Sequence, residues 1–283
     1  MKFINGTALA KTIRVSVKEA VLASGKHPAL ATILVGDNPS SQIYLRLKER
    51  ACNEVGIRFE RRDFPDTATE TELLAHIRRL NTRPDIHGIL VQLPFPDGLN
   101  PDPVIAAMDP KKDVDGFHPV NLAAIDAGCA RTLPVLVKTV LALLEQTQVP
   151  IAGTTILLLS KSDVFTRPFR NVLTKLGATV IHAESPDMQQ MLKADILITA
   201  LGRPHSITGE MVKDGATIID IGITPTEYGV QGDVDEKSVA GKAAWLTPVP
   251  GGVGPVTVAM LLENVALAAG LALSARNAMR DNR

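Results

Sequence analysis

Excess charge of either sign is absent from this 283-residue chain: 30 Lys+Arg face 30 Asp+Glu, a formal net charge of zero. That removes the usual electrostatic case for a nucleic-acid or anionic-membrane partner, while a small anionic substrate needs only a few well-placed cations. Cysteine is nearly absent too. Cys52 and Cys129 stand outside any CxxC motif and cannot build a secreted disulfide framework, so a reducing, cytoplasmic setting is expected. Met1 to Gly6 lead into a mixed stretch with no continuous apolar run, so no signal peptide is expected. Residues 256–273 are apolar but broken by Thr257, Glu263 and Asn264, the pattern of a buried helix rather than a membrane span. Solenoid repeats and low-complexity tracts are missing as well.

What is present is an ordinary globular composition, 45% hydrophobic and 21% charged, long enough for two domains of roughly 150 residues. Short apolar runs alternate with helical patterns. In the first half, residues 31–35, 58–64 and 88–93 read as strands. A helix is expected over 41–55, and Thr69 with Glu72 has capping-box spacing ahead of Leu73, Leu74, Ile77 and Leu80. In the second half, strands are expected at 155–159, 178–181, 195–199 and 216–221, with helices at 165–176, 188–193 and 208–212. A helix ends at 141–146. Helix-length connections between short buried strands imply parallel pairing. The pattern predicts two α/β units, divided near Leu133-Pro134, followed by an apolar helix from about Val256.

Ligands of open parallel sheets bind beyond the carboxyl ends of the strands. Four polar segments fall there or at equivalent places: Gln92-Leu93-Pro94, Asp113 to Gly116, Gly222-Ile223 and Pro248 to Pro255. Tyr44 and Lys48, four apart on a helix, share a face; they can hold a planar ligand and move a proton, or form a plain solvated surface. Gln92 ends an apolar strand and either faces a ligand or satisfies loop backbone. Asp113, Asp115 and His118 form a compact polar cluster that is a poor metal site; no metal is expected, Asp115 is preferred as an acceptor for ligand N–H groups, and His118 can start a helix. His27, His76, His87, His182 and His205 show no ligand spacing. Pro250-Gly251-Gly252-Val253-Gly254-Pro255 offers special backbone angles and close ligand approach, with Pro255 opening a helix. The turn from Ser160 to Thr166 follows the first strand of the second unit yet has no glycine, so by motif alone it does not support dinucleotide binding.

Over nearly its whole length the chain resembles the bifunctional methylenetetrahydrofolate dehydrogenase/cyclohydrolases. The likeness is carried by Ser41-Gln42-Ile43-Tyr44 with Lys48, by Gly88 to Pro94, by Lys112-Asp113-Val114-Asp115-Gly116-Phe117-His118-Pro119, and by Thr247 to Thr257. The resemblance implies an α/β chain with a three-layer N-terminal catalytic domain over 1–134 and a Rossmann-type, parallel-sheet cofactor domain over 135–254. A C-terminal helix, 255–283, would return to the first domain, and the chain would form a homodimer. It implies oxidation of 5,10-methylenetetrahydrofolate to the methenyl form with NADP ahead of NAD, then hydrolysis to 10-formyltetrahydrofolate. Lys48 would be the central catalytic residue, with Tyr44 stacking on the folate, Gln92 tuning Lys48 and Asp115 gripping the pterin. Val91, Leu93, Pro250, Gly251 and Gly254 would complete the folate site. Ser160, Lys161, Ser162, Ser185, Ala200, Gly202 and Ile223 would face the cofactor.

The chain departs from the family on the cofactor side. A usual Gly-Arg-Ser…Val-Gly-x-Pro turn reads Ser160, Lys161, Ser162, Val164 or Phe165, Thr166 and Pro168 here, so Phe165 and Thr166 would fill space of the cofactor's approach. A usual Pro-Cys-Thr-Pro-x-Gly stretch reads Pro134-Val135-Leu136-Val137-Lys138-Thr139. Lys161 can attract a 2′-phosphate, whereas Glu184 can repel one. Two further readings follow: a cyclohydrolase with weak or lost dehydrogenase activity, and a folate-binding paralogue without turnover.

Overall fold

Parallel strands joined by helices build both compact units into which the chain divides. The structure, a computed structural model, describes residues 1–273, without the side chain of Val164. One unit comprises Ala10–Val135 and the chain from Val258, the other Met1–Leu9 and Leu136–Thr257. Residues 274–283 of the expected C-terminal segment 255–283 lie outside the described residues.

The chain opens with β1 (Lys2–Phe3), α1 (Gly6–Ser24), β2 (Ala29–Val35), α2 (Pro39–Val55), β3 (Arg58–Phe64), α3 (Glu70–Thr82) and β4 (Gly88–Gln92). Short helices α4 (Asp102–Ala106) and α5 (Pro119–Asp126) precede α6 (Val135–Glu145). Next come β5 (Thr155–Ser160), α7 (Asp163–Lys175), β6 (Thr179–Ala183), α8 (Met188–Met191), β7 (Ile196–Ala200) and β8 (Thr217–Asp220). A hairpin of β9 (Thr224–Thr226) and β10 (Gly229–Gln231), then α9 (Glu236–Val239), β11 (Trp245–Leu246) and α10 (Val253–Ala268), completes the described chain.

The first sheet has the order β3-β2-β4, all parallel. Its chain runs from β2 outward to β3 and then crosses to β4 on the other side, so β2 and β4 flank a switch in direction where a crevice opens beyond their carboxyl ends. Ile33, Leu73, Ile77, Leu80, Ile89 and Val91 belong to one core cluster of this unit. Local signals match the elements. Asn38 caps α2 by accepting from the Ser41 N–H, Pro39 sits in its first turn, and Gly56 ends it at φ 80°. Thr69 and Glu72 form both bonds of the capping box.

The second sheet has the order β1-β11-β8-β7-β5-β6, again all parallel, with its switch between β5 and β7. Lys2 and Phe3 pair with Trp245 and Leu246. Backbone pairing therefore places residues 1–9 with the later unit, a difference from the 1–134 boundary expected. The expected helix at 208–212 is one 3-10 turn, Gly209–Met211. A Cβ at Gly209 would overlap the Ser238 carbonyl, and Ser238 Oγ accepts from the Gly209 N–H at 2.7 Å, which fixes the chain before a second turn can form. The expected 188–193 helix is shortened to Met188–Met191.

Candidate active site

Lys48 lies on α2, which leaves the carboxyl end of β2 and passes over the end of β4. Its Nζ donates to Gln92 Oε1 at 2.7 Å. Gln92 is the last residue of β4, and its Nε2 donates to the Leu93 carbonyl at 2.8 Å, which turns the amide oxygen toward the amine. Val91, Gln92 and Leu93 line one pocket together with Lys48, Asp115 and Phe117. The apolar part of the wall includes Ile105 and Met108, one from α4 and one just beyond it.

Asp115 reaches that pocket because residues 112–113 extend the sheet. Ile89 forms a parallel bridge with Asp113, and its N–H donates to the Lys112 carbonyl at 2.7 Å. Asp113 then folds the following turn around itself. Its Oδ1 accepts from the Gly116 N–H at 2.9 Å, and its Oδ2 accepts from the His118 N–H and the Asn121 amide, each at 2.8 Å. His118 starts α5 by accepting from the Val120 N–H. Asp113 thus shapes the loop that presents Asp115, a role that spacing could have revealed, since an aspartate three residues before a glycine is a turn former. Asn264, which the sequence offered only as an interruption of an apolar run, donates to the Val114 carbonyl at 2.8 Å.

Gly116 carries this turn at φ 89°, and a Cβ there would fall 2.6 Å from the Pro134 Cα. Left-handed strain and backbone overlap together predict that Gly116→Ala loses roughly 2–5 kcal/mol of stability. A denaturant midpoint equal to the parent's would contradict this.

Electrostatics follow from the burial. Desolvation pushes the Lys48 amine below the ordinary lysine range, while the charge of Asp115 opposes part of that fall. Desolvation pushes the Asp115 carboxyl up to about 6, opposed by Lys48 and reinforced by Asp113. Asp115 keeps some exposed surface even so. Cys52, one turn beyond Lys48, is raised by burial to about 12 and stays a thiol at neutral pH. Tyr44 is half-buried one turn before Lys48, and its phenol is raised by burial; it is not among the residues lining the pocket.

Pro250, Gly251 and Gly254 belong to the second unit. There Gly251, at φ 107°, accepts on its carbonyl from the Thr7 N–H at 3.0 Å, and the Val249–Pro250 peptide is cis. A Cβ at Gly6 would overlap the Gly252 carbonyl. Among the described residues no group of His, Cys, Asp or Glu is arranged to hold a metal.

The second sheet has its own switch, between β5 and β7. Ser160 ends β5 in register with Ala200, the end of β7. Lys161 and Ser162 follow exposed, and Ser162 Oγ accepts from the Phe165 N–H as the cap of α7. Gly202 is exposed at φ 64°, with open space where a Cβ would stand. Ser185 and Ile223 are exposed beyond β6 and β8. Thr166 differs from the expectation that it fills the approach. Thr166 is wholly buried with its Oγ1 on the Asp163 carbonyl, and Phe165 packs on Phe169 with ring centroids 5.0 Å apart. The replaced stretch from Val135 likewise forms the first turns of α6, where Val135, Val137, Lys138 and Thr139 are buried. His182 Nε2 lies 2.8 Å from the Ser160 carbonyl and braces the turn.

An amine–amide–carboxylate pocket at one parallel-strand switch, on a chain that also carries a Rossmann-type sheet, defines a two-unit α/β enzyme. Residues 4–115 match the catalytic domain of tetrahydrofolate dehydrogenase/cyclohydrolase, and residues 134–272 its NAD(P)-binding domain. The chain is 41% identical over 276 residues to a bifunctional protein FolD of Campylobacter concisus, covering 95% of this chain and 98% of the relative. With the FolD of Methanosarcina mazei it shares 44% identity over 275 residues, covering 95% and 96%. Its fold matches the crystal structure of the bifunctional FolD of Campylobacter jejuni with a TM-score of 0.90 at 39% identity, covering 95% of this chain and 99% of that one. A Trypanosoma brucei FolD complexed with NADP cofactor and inhibitor matches with a TM-score of 0.88 at 33% identity, covering 94% and 96%. This chain belongs to the tetrahydrofolate dehydrogenase/cyclohydrolase family.

Proposed function

We propose that the chain oxidises 5,10-methylenetetrahydrofolate to the 5,10-methenyl cation and hydrolyses that cation to 10-formyltetrahydrofolate. The observation that carries this reading is the 2.7 Å contact of Lys48 Nζ with Gln92 Oε1 in the pocket that Asp115 also lines. Tyr44 is assigned to stack on the folate from the preceding turn of α2. Asp115 is assigned to accept N–H groups of the pterin, and Val91, Leu93, Pro250, Gly251 and Gly254 are assigned as further folate-binding residues.

An ordinary lysine, with a pKa near 10.4, is a poor base at pH 7. Burial already favours the neutral amine, and a cationic substrate favours it further by repulsion. Water then adds to the methenyl carbon while the Lys48 amine takes a proton from it. The C–N5 bond of the resulting carbinol breaks, its hydroxyl proton is lost as the formyl C=O forms, and N5 gains a proton. The overall hydrolysis consumes one water and releases one proton. Gln92 Oε1, as an acceptor, keeps the amine aimed and supports its protonated form.

For the oxidation the dinucleotide supplies the hydride acceptor. Ser160, Lys161, Ser162, Ser185, Ala200, Gly202 and Ile223 are assigned to hold it. NADP is proposed over NAD because Lys161 is an exposed cation directly beyond β5; Glu184, exposed beyond β6, is the opposing charge. A homodimer, a cytoplasmic setting and domains divided at 134–135 and 254–255, apart from residues 1–9, complete the proposal. The glycine-free turn at 160–166 favours a second reading, hydrolysis without dehydrogenation. Assaying both reactions on one preparation separates them. Methenyl formation that depends on NADP supports the first reading, hydrolysis alone leaves the second, and neither reaction overturns both.

A further inference from the structure

The second unit holds two fully buried carboxylates that the chemistry above does not use. Asp220, the last residue of β8, is 2% exposed, and Asp233 is 0% exposed. Asp220 Oδ1 accepts from the Gly222 N–H at 2.9 Å and the Asp233 N–H at 3.2 Å, while its Oδ2 accepts from the Val234 N–H at 2.9 Å. It therefore pins the backbone that carries Asp233. Asp233 in turn reaches back to the end of β7. Its Oδ2 accepts from Thr199 Oγ1 at 2.8 Å and the Leu201 N–H at 2.7 Å, and its Oδ1 accepts from the Arg203 N–H at 2.9 Å.

Glycine makes the approach possible. A Cβ at Gly222 would overlap the Asp233 carboxylate, and one at Gly232 would overlap that of Asp220. Two aspartates and two glycines thus form one relay, from the end of β8 to the loop Leu201-Gly202-Arg203. That loop follows Ala200, which pairs with Ser160 across the β5–β7 switch, the place where a parallel sheet receives its ligand.

We infer that Asp233, held by Asp220, is a positioning residue for dinucleotide binding, fixing the Leu201-Gly202-Arg203 backbone at the β5–β7 switch. This rests on the dehydrogenase reading above. Buried carboxylates are costly unless paired with donors, and charge-assisted bonds to backbone N–H groups are the strong, directional kind. Asparagine keeps the shape of Asp233 but presents one NH2 group to a set of donors only, so it must release the Leu201 or the Arg203 N–H.

The test uses the full chain with Asp233→Asn and the milder Thr199→Val, which removes a single donor. Losing one charge-assisted bond predicts that Asp233→Asn weakens NADP binding, measured by titration calorimetry, about tenfold or more. The KM for NADP rises in step while kcat and methenyl hydrolysis stay within about twofold, because the bound geometry is restored once the loop is engaged. Amide hydrogen exchange at Leu201 and Arg203 accelerates by about tenfold in the free variant, with the β5–β7 core unchanged. Thr199→Val weakens NADP binding roughly threefold and decides the matter if Asp233→Asn does not fold. Faster exchange at Leu201 and Arg203 with parental NADP affinity would overturn the positioning role and leave packing alone, as would unchanged exchange in both variants. A parent protein that takes up no NADP sinks the dehydrogenase reading itself, a result distinct from either.

Discussion

Lys48→Met lowers methenyl hydrolysis by about 10³-fold while the protein keeps its fold, since a positioned general base contributes roughly 10²–10⁴. Methionine matches the lysine stem in length and is a good helix former, so α2 should persist. What disappears is the amine that donates to Gln92 Oε1 in the pocket. The orphaned amide oxygen retains access to water, because Gln92 is only partly buried, and its penalty stays near the low end of the usual 1–3 kcal/mol. Stopped-flow loss of the methenyl chromophore gives the rate, and a thermal melt reports the fold. Hydrolysis within about threefold of the parent, from a protein melting normally, would remove Lys48 from its role.

Asp115→Asn raises the KM for the methenyl substrate by roughly 10²-fold, the value of a charge-assisted contact of about 1.5–3 kcal/mol with some added loss of orientation. It also alters the pH profile. In the parent, Asp115 loses its proton near pH 6, so KM falls as pH rises through that value; in the variant this limb disappears. Stability moves the other way. The folded carboxyl holds its proton to higher pH than the unfolded chain does. Its contribution is therefore fully present below about pH 4 and lost as pH rises through about 6. Asp115→Asn escapes that loss and should be more stable than the parent at pH 8 by on the order of 1–2 kcal/mol, with little difference at pH 4. Melting temperatures at the two pH values measure it. A variant less stable at pH 8 and unchanged in KM would contradict both the burial and the assigned grip on the pterin.

Much of the fold is legible because its signals are local. The apolar runs at β2, β4, β5 and β7 and the capping box of α3 are each fixed by neighbouring residues. The breakdowns are non-local. The two-residue strand β1 has no propensity signal and exists through pairing with β11 across the length of the chain. Helix α1 did carry readable marks, since Asn5 Oδ1 accepts from the Ala8 N–H at 2.9 Å as its cap and Leu9, Ile13, Val17 and Val21 recur every four residues on its buried side. In the site, Lys48 stands out beside Tyr44 on one helix face, Gln92 at the end of an apolar strand and Asp115 in a compact polar cluster, and the resemblance assigns their roles. Asn264 and Asp233 do not stand out, because a buried polar residue that braces a loop looks like any other aspartate or asparagine until its backbone partners are in place. The cofactor turn misleads in the opposite sense. Thr166 reads as obstruction, but helix α7 starts at Asp163 and takes it up entirely.

Base catalysis by Lys48 depends on a buried amine that loses its proton more readily than lysine normally does. An NMR titration of the lysine side-chain nitrogens in the unliganded protein, with Lys48→Met supplying the assignment, reads this directly. The expected midpoint for Lys48 lies below the ordinary value of about 10.4. A midpoint at or above that value would mean that the Asp115 carboxylate outweighs burial, and that Lys48 does not act as the base.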